Sequence, residues 1–308
     1  MAFTMHSHSG QFCPGHAKDQ LEDIIQHAIS AGFKTMGLTE HMPRYEERDL
    51  YPEEHDEPDA LSALSSRHES YLIEAQRLQS HYSSQINILI GFEAEFIRPS
   101  FKDHVLSLVA SGSHCIDYFI GSVHHVHGFP IDYDAVTYAA ALDASGGGSE
   151  EGLYSDYYDL QYDMLTALRP RVVGHFDLIR LLSQDPARDV RGWDGVWSKI
   201  VRNLNLIKSQ GGWLECNSAA LRKGLAEPYP SRPIAELWVS MDGKFTMSDD
   251  SHGKDHIATN YSRALTYLES LGVTKLWTFQ RKPSASPEGC ATLKDTAVPI
   301  SEFRKSFP

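Results

Sequence analysis

The chain has 308 residues, a length that suits a single α/β barrel domain. Its 41% apolar and 22% charged residues are typical of a globular protein, and no run reaches the roughly 18 uncharged apolar residues that cross a bilayer, so no membrane partner is expected. A formal net charge of -13 argues against general nucleic-acid binding, yet it leaves room for a small phosphorylated ligand wherever bound cations reverse the local field.

The opening MAFTMHSHSGQ has neither the basic segment nor the apolar stretch of a secretory signal, so the expected compartment is the cytoplasm. Residues 18–31 carry Leu21, Ile24, Ile25, Ala28 and Ile29 at helical spacing, and Gly32 ends that helix. A short strand at 34–39 is followed at once by Glu40 and His41. The order then repeats. A helix at 61–82 precedes a buried strand at 86–92 that delivers Glu93; a helix at 102–110 precedes a strand at 117–123 that delivers His124. A helix at 154–168 leads to 171–174 and His175, and one at 196–209 leads to a strand at 212–216 and Asn217. Residues 232–241 form a helix before the strand 244–248, which leads to Asp250 and His252. A helix at 256–270 and a strand at 273–279 complete the series.

About seven βα units with short apolar strands indicate a parallel sheet covered on both faces. A polar residue after nearly every strand favours a closed or nearly closed barrel over an open sheet, because a barrel gathers its site on the C-terminal rim. Two loops interrupt the rhythm. Residues 43–60 hold eight acidic residues and directly follow His41, which makes them candidates to close over a ligand; residues 143–152 contain Gly146, Gly147 and Gly148 and read as a flexible insertion. Residues 283–289 read as a further loop, and the tail to Pro308 is expected to pack outside the barrel.

The polar residues at the strand ends are ligand types. His6 and His8 sit two apart, so in a strand both imidazoles face the same side. Any one histidine is more often a rim or core residue, but His6, His8, His16, His41, His124, His175 and His252 recur at equivalent places together with Glu93 and Asp250. Glu93 is the natural bridge, since a carboxylate can serve two cations whereas an imidazole serves one. This mixed nitrogen and oxygen set suits two or three divalent transition-metal ions, zinc, iron or manganese, better than magnesium or calcium. Cys13, Cys115, Cys216 and Cys290 form no CxxC pair, which argues against a thiolate metal site and a disulfide scaffold; Cys13 reads as a free thiol beside the site. His125 should face away from His124, His127 enters a loop, and His114 and His256 read as structural. Asp177, two residues after His175, is a candidate to orient an imidazole.

The ordered series MHSHSGQFCPGH, TEH at 39–41, GFEAEF at 91–96, GSVHHV at 121–126, GHFDLIRLL at 174–182 and SDDSH at 248–252 resembles the polymerase-and-histidinol-phosphatase (PHP) superfamily. It is most similar to the stand-alone histidinol-phosphate phosphatase branch, over about residues 4–280. The resemblance implies a distorted seven-stranded (β/α) barrel of PHP type spanning 1–308, with the loops at 43–60 and 143–152 as insertions and up to three metal ions on its C-terminal rim. It also implies a division of ligands. His6, His8, Glu93 and Asp250 hold one ion, Glu93 bridges to a second held by His124 and His175, and His16, His41 and His252 hold a third. His16 stands where many superfamily members have an acidic residue.

Clustered cations activate water and neutralise phosphoryl oxygens, so the residues point to metal-dependent phosphate-ester hydrolysis. Glu93, Asp250 and His252 are the candidate catalytic groups, the latter two for protonating the leaving oxygen. Arg222 is the first candidate to meet a phosphate, ahead of Lys254, Arg281 and Arg180. The resemblance implies the conversion of L-histidinol phosphate to L-histidinol and phosphate in histidine biosynthesis, with Glu40, Glu95 or the acidic loop meeting the substrate amine. The alternative is a PHP-type phosphoesterase acting on another small phosphomonoester or a nucleotide end. A metal-stabilised binding protein without turnover belongs to a different class, and phosphate release after metal reconstitution separates it from both. No GxSxG supports a serine hydrolase, and no heptad marks an oligomer interface.

Overall fold

The computed structural model describes residues 1–111, 114–282 and 290–307. Its strands in chain order are β1 (Ala2–Thr4), β2 (Phe33–Leu38), β3 (Asn87–Glu95), β4 (Tyr118–Ser122), β5 (His125–Val126), β6 (Phe129–Pro130), β7 (Val172–Val173), β8 (Trp213–Asn217), β9 (Lys244–Ser248), β10 (Lys275–Lys282) and β11 (Thr292–Pro299). Seven of these form one parallel sheet in the order β1-β2-β3-β4-β7-β8-β9. The two ends of that sheet meet. The Met5 amide donates to the Met247 carbonyl at 3.1 Å and the His8 amide to the Ser251 carbonyl at 2.8 Å, with a parallel bridge between Ser7 and Ser251. The result is the expected seven-stranded barrel, and it is distorted because β7 has only two residues and β1 only three.

The covering helices match the apolar periodicity, with shifted ends. The helix expected at 154–168 begins earlier, at Glu150, where the Ser149 hydroxyl accepts from the Gly152 amide. The helix expected from 256 begins only at Tyr261, because Ala258 and Asn260 adopt positive φ and His256 ends a separate short 3-10 turn. Residues 135–144 form a helix that the sequence reading left unassigned, capped by Asp134. The glycine run at 146–148 is a single 3-10 turn between two helices.

One strand falls outside the expected series. Residues 275–282 do not extend the βα repeat; β10 pairs antiparallel with β11, and the two form a separate hairpin. Since β1 already closes on β9, the barrel has no edge left to receive it. The hairpin instead covers the mouth where the strands begin. Phe279 stacks on Trp213 at 4.4 Å and lies 5.6 Å from the Tyr118 ring, and its carbonyl accepts from Asn87 at 3.1 Å. The tail continues under β1, with Phe303 edge-on to Phe3 at 4.9 Å and both rings buried. The Cys115–Cys290 disulfide ties the hairpin to the segment entering β4, which corrects the inference drawn from cysteine spacing. Cys13 and Cys216 are free. The loop expected at 283–289 lies outside the described residues.

Inside the barrel, Tyr118 fills the space above this plug and donates from its hydroxyl to the Met5 carbonyl. It fits because residue 37 is glycine: a Cβ there would stand 1.9 Å from the Tyr118 oxygen. No helix among the described residues is long and apolar enough to cross a membrane.

Candidate metal centre

At the opposite mouth the strand ends deliver imidazoles and carboxylates to one point. His6 and His8 continue β1, His41 follows β2, Glu93 and Glu95 end β3, His124 follows β4, His175 follows β7, and Asp250 and His252 follow β9. Glu93 is at the centre. Its Oε2 is 3.2 Å from His6 Nε2, 3.5 Å from His8 Nε2 and 3.2 Å from His41 Nδ1; its Oε1 is 3.0 Å from His175 Nε2 and 3.4 Å from His124 Nε2. Asp250 Oδ1 lies 3.3 Å from His8 Nε2 and 3.6 Å from His6 Nε2. Three groups have ligand atoms mutually within 4.8 Å: His6, His8 and Glu93; Glu93, His124 and His175; His8, His41 and His252. His16 stands beside the third, its ring 4.6 Å from His252, while its Nδ1 is 3.4 Å from Glu53. His8 is thus common to the first and third groups, and His16 borders the third.

The donor set fits divalent cations. His6 Nε2, both nitrogens of His8 and His41 Nδ1 are buried without a hydrogen-bond partner, a costly arrangement unless something binds there. Burial and the neighbouring His8 push His41 down to about 3, and burial likewise holds His252 well below the usual imidazole range, so both present lone pairs. Burial alone would raise Glu93 and Asp250. The surrounding imidazoles, His6 foremost for each, outweigh it and hold both carboxyls well below their ordinary range. Metal binding needs neutral imidazoles around ionised carboxylates; His41 and His252 already meet that condition, whereas the same carboxylates hold His6 well above the usual imidazole range and His124 up to about 9, so these two must release protons as a cation enters.

A further layer fixes these side chains. Glu215, in the middle of β8, faces His6 Nδ1 at 2.8 Å and accepts from the His175 amide at 2.9 Å and Asn217 Nδ2 at 3.0 Å. This turns His6 Nε2 toward Glu93. Sequence reading passed over Glu215, although a charged residue inside a short apolar strand was its signal. Glu95 forms an ion pair with buried Arg44 at 2.8 Å and lies 3.1 Å from His41 Nδ1. Glu40 accepts from the Ser9 hydroxyl at 2.6 Å and the Ser9 amide at 2.8 Å, and burial pushes its carboxyl up to about 8 despite these bonds. Asp177, a candidate to orient an imidazole, instead accepts from Arg180 Nε at 2.9 Å and the Ser231 amide at 2.8 Å.

The candidate phosphate cations are spread apart. Arg222 donates to the Asp249 and Asp250 carbonyls at 2.8 and 2.9 Å, bracing the turn that carries Asp250. Arg180 is buried, bonded to Asp177 and to the Glu227 and Pro228 carbonyls. Arg281 pairs with Asp117 at the far mouth, and Lys254 lies 3.5 Å from Asp19. His125 is buried against Tyr51, His127 pairs with Asp156 at 2.8 Å outside the cluster, His114 pairs with Glu69, and His256 Nδ1 accepts from the His252 amide at 3.3 Å.

The cluster opens into a cavity of about 240 Å³ whose outer wall includes Tyr51, Asp132, Tyr133, Leu178 and Lys223. Tyr51 comes from the acidic loop at 43–60, which is folded against the rim through Glu53 and His16 and through Arg44 and Glu95. A larger cavity of about 560 Å³, bounded by Arg98, His127 and Phe129, contains no residue of the cluster.

Residues 4–219 match the PHP domain. The chain is 43% identical to the "Probable histidinol-phosphatase" of Schizosaccharomyces pombe over 93% of this chain and 92% of that one. It is 31% identical to the "Histidinol-phosphatase" of Saccharomyces cerevisiae over 97% and 96%. A histidinol phosphate phosphatase from Lactococcus lactis, crystallised with zinc, L-histidinol and phosphate, shares the fold at a TM-score of 0.67 and 19% identity, covering 91% of this chain and 97% of its own. With Glu93 shared between imidazole groups at the barrel rim, these likenesses decide the matter: the chain belongs to the PHP domain family and is a metal-dependent phosphomonoester hydrolase.

Proposed function

We propose that this chain hydrolyses L-histidinol phosphate to L-histidinol and phosphate. The observation that carries the reading is the triple cluster sharing Glu93 and His8 at the floor of a cavity of about 240 Å³, in a chain similar from end to end to two histidinol-phosphatases. The whole chain then acts as one catalytic barrel, with 43–60 as the segment covering the substrate and the cytoplasm as its compartment.

His6, His8, Glu93 and Asp250 would hold one ion, Glu93, His124 and His175 a second, and His41 and His252 with His8 or His16 a third. Zinc, which accompanies the Lactococcus lactis protein, is the first choice, ahead of iron and manganese. Bound cations activate water and neutralise phosphoryl oxygens as the ester bond breaks. The chain's own groups do the rest. Glu215 and Glu95 keep His6 and His41 oriented, and Arg222 keeps the Asp250 turn in place. Lys223, without an ion pair among the described residues, supplies a mobile positive charge to the phosphate. Asp250 and His252 stand where they can pass a proton to the leaving oxygen.

The test is phosphate release by the full chain reconstituted with zinc, iron or manganese. L-histidinol phosphate should exceed p-nitrophenyl phosphate in kcat/KM by about 100-fold or more, the discrimination expected of a site built to pair with substrate polar groups. A nucleotide preferred over it would replace the reading with phosphoesterase action on nucleotide ends. The cavity speaks against that alternative, since Lys223 is the one Lys or Arg among the described residues lining it.

A further inference from the structure

Three carboxylates line the cavity, and they are not equivalent. Glu93 and Asp250 face imidazoles at 3.0 to 3.6 Å. Asp132 has no ion pair among the described residues, and its Oδ1 is buried with no hydrogen-bond partner. A buried carboxylate oxygen without a donor is expensive to maintain, so its position calls for a cation that arrives from outside the chain.

Its placement is determined by local structure. The chain leaves His124 into the hairpin β5–β6, turning at His127 and Gly128, both at positive φ. It returns so that the Ile131 amide donates to the His124 carbonyl at 2.9 Å. The next side chain is Asp132, brought back beside an imidazole of the cluster. Tyr133 follows, and its ring lies 6.3 Å from that of Tyr51, so two aromatic side chains border the same wall. A carboxylate among aromatic rings is a site for an organic ammonium. The other carboxylates proposed for that task are engaged elsewhere: Glu40 with Ser9, Glu95 with Arg44 and His41, and in the acidic loop Glu53 with His16 and Glu54 with Arg44; none of these lines the cavity.

We propose that Asp132 is the specificity-determining residue of this hydrolase, receiving the ammonium of an amino-alcohol phosphate whose phosphate lies at the imidazole cluster. The proposal rests on the phosphomonoester reading and adds to it the class of alcohol. Lys223 and the cluster take the anionic end of the substrate, and Asp132 takes the cationic end.

The experiment compares kcat/KM for matched pairs of esters with and without the amine: L-histidinol phosphate against its desamino analogue, and phosphoethanolamine against ethyl phosphate. The full-length, zinc-loaded chain is used, as wild type, Asp132→Asn and Asp132→Glu, with thermal unfolding to verify that each variant is folded. Wild type should prefer the amine in each pair, and D132N should lower that preference roughly 10- to 100-fold while changing turnover of the amine-free esters less than about threefold. D132E should recover part of the preference, which a merely structural role for Asp132 would not produce. An unchanged preference in D132N, an equal loss on both members of a pair, or no preference in wild type overturns the proposal. If phosphoethanolamine shows the Asp132-dependent preference while L-histidinol phosphate is not hydrolysed, the proposal stands and the substrate named above falls.

Discussion

The two mouths of this barrel solve opposite problems. Where the strands begin, Trp213, Phe279, Tyr118 and Phe3 pack under the β10–β11 hairpin, a dry plug further tied by Cys115–Cys290. Where the strands end, seven histidines and several carboxylates crowd together with many of their nitrogens unpaired. One mouth stabilises the barrel; the other uses some of that stability to keep ligands poised. Substitutions should therefore separate by mouth, with chemistry lost at the rim and fold lost at the plug.

The largest effect is expected at Glu93. Glu93→Gln should lower kcat/KM by about a thousandfold or more and reduce the bound metal, because one amide cannot replace a carboxylate shared by five imidazoles. In the metal-free protein the loss of a carboxylate that the surrounding imidazoles hold ionised against burial should lower the unfolding temperature, but by less than a substitution in the plug; an equal or larger fall would show that the rim supports the fold as much as the plug does. The converse at the plug is Phe279→Ala, expected to cost about 3–5 kcal/mol in denaturant unfolding with kcat per folded molecule unchanged. A loss of kcat without loss of stability would erase the distinction between the mouths.

The two mouths also differ in how far they can be read from sequence. The ligands were legible because residue type, strand ending and strand order agree: an acid or imidazole closing an apolar run has few structural uses. The plug was not. Residues 275–279 carry the same short apolar pattern as a barrel strand, and periodicity records burial without naming the partner strand. Cys115 and Cys290 are 175 residues apart, and only the folded hairpin brings them together. Asp132 escaped notice for a related reason, since it reaches the rim by a hairpin return and not by ending a strand. Glu215 had a local signal, but its meaning depends on His6 and His175, which come from two other strands.

The disulfide sharpens the contrast at a smaller scale. Replacing both Cys115 and Cys290 by serine should lower stability by about 2–4 kcal/mol under oxidising conditions and leave kcat and metal content alone. With the aromatic stack intact the variant should stay folded at moderate temperature, as it must if the chain works in a reducing compartment. Coupled loss of metal would mean that the plug reaches through the barrel to the rim.

The smallest effect expected belongs to the wall between the mouths. Glu215 lies inside β8 and touches no substrate, yet it faces His6 through Nδ1 and holds the β7 end through the His175 amide. Glu215→Gln preserves shape but replaces one carboxylate oxygen with an amide donor, so it cannot serve every donor that now converges on the carboxylate. Partners of this kind influence metal affinity by roughly 10- to 100-fold, so E215Q should weaken zinc binding within that range, measured by chelator competition, while retaining activity at saturating metal. Glu215→Leu should go further and release His6 from its orientation altogether. If E215Q binds zinc as tightly as wild type but unfolds more readily, Glu215 belongs energetically with the plug, and the boundary between the stabilising and catalytic mouths lies above β8 Glu215 instead of below it.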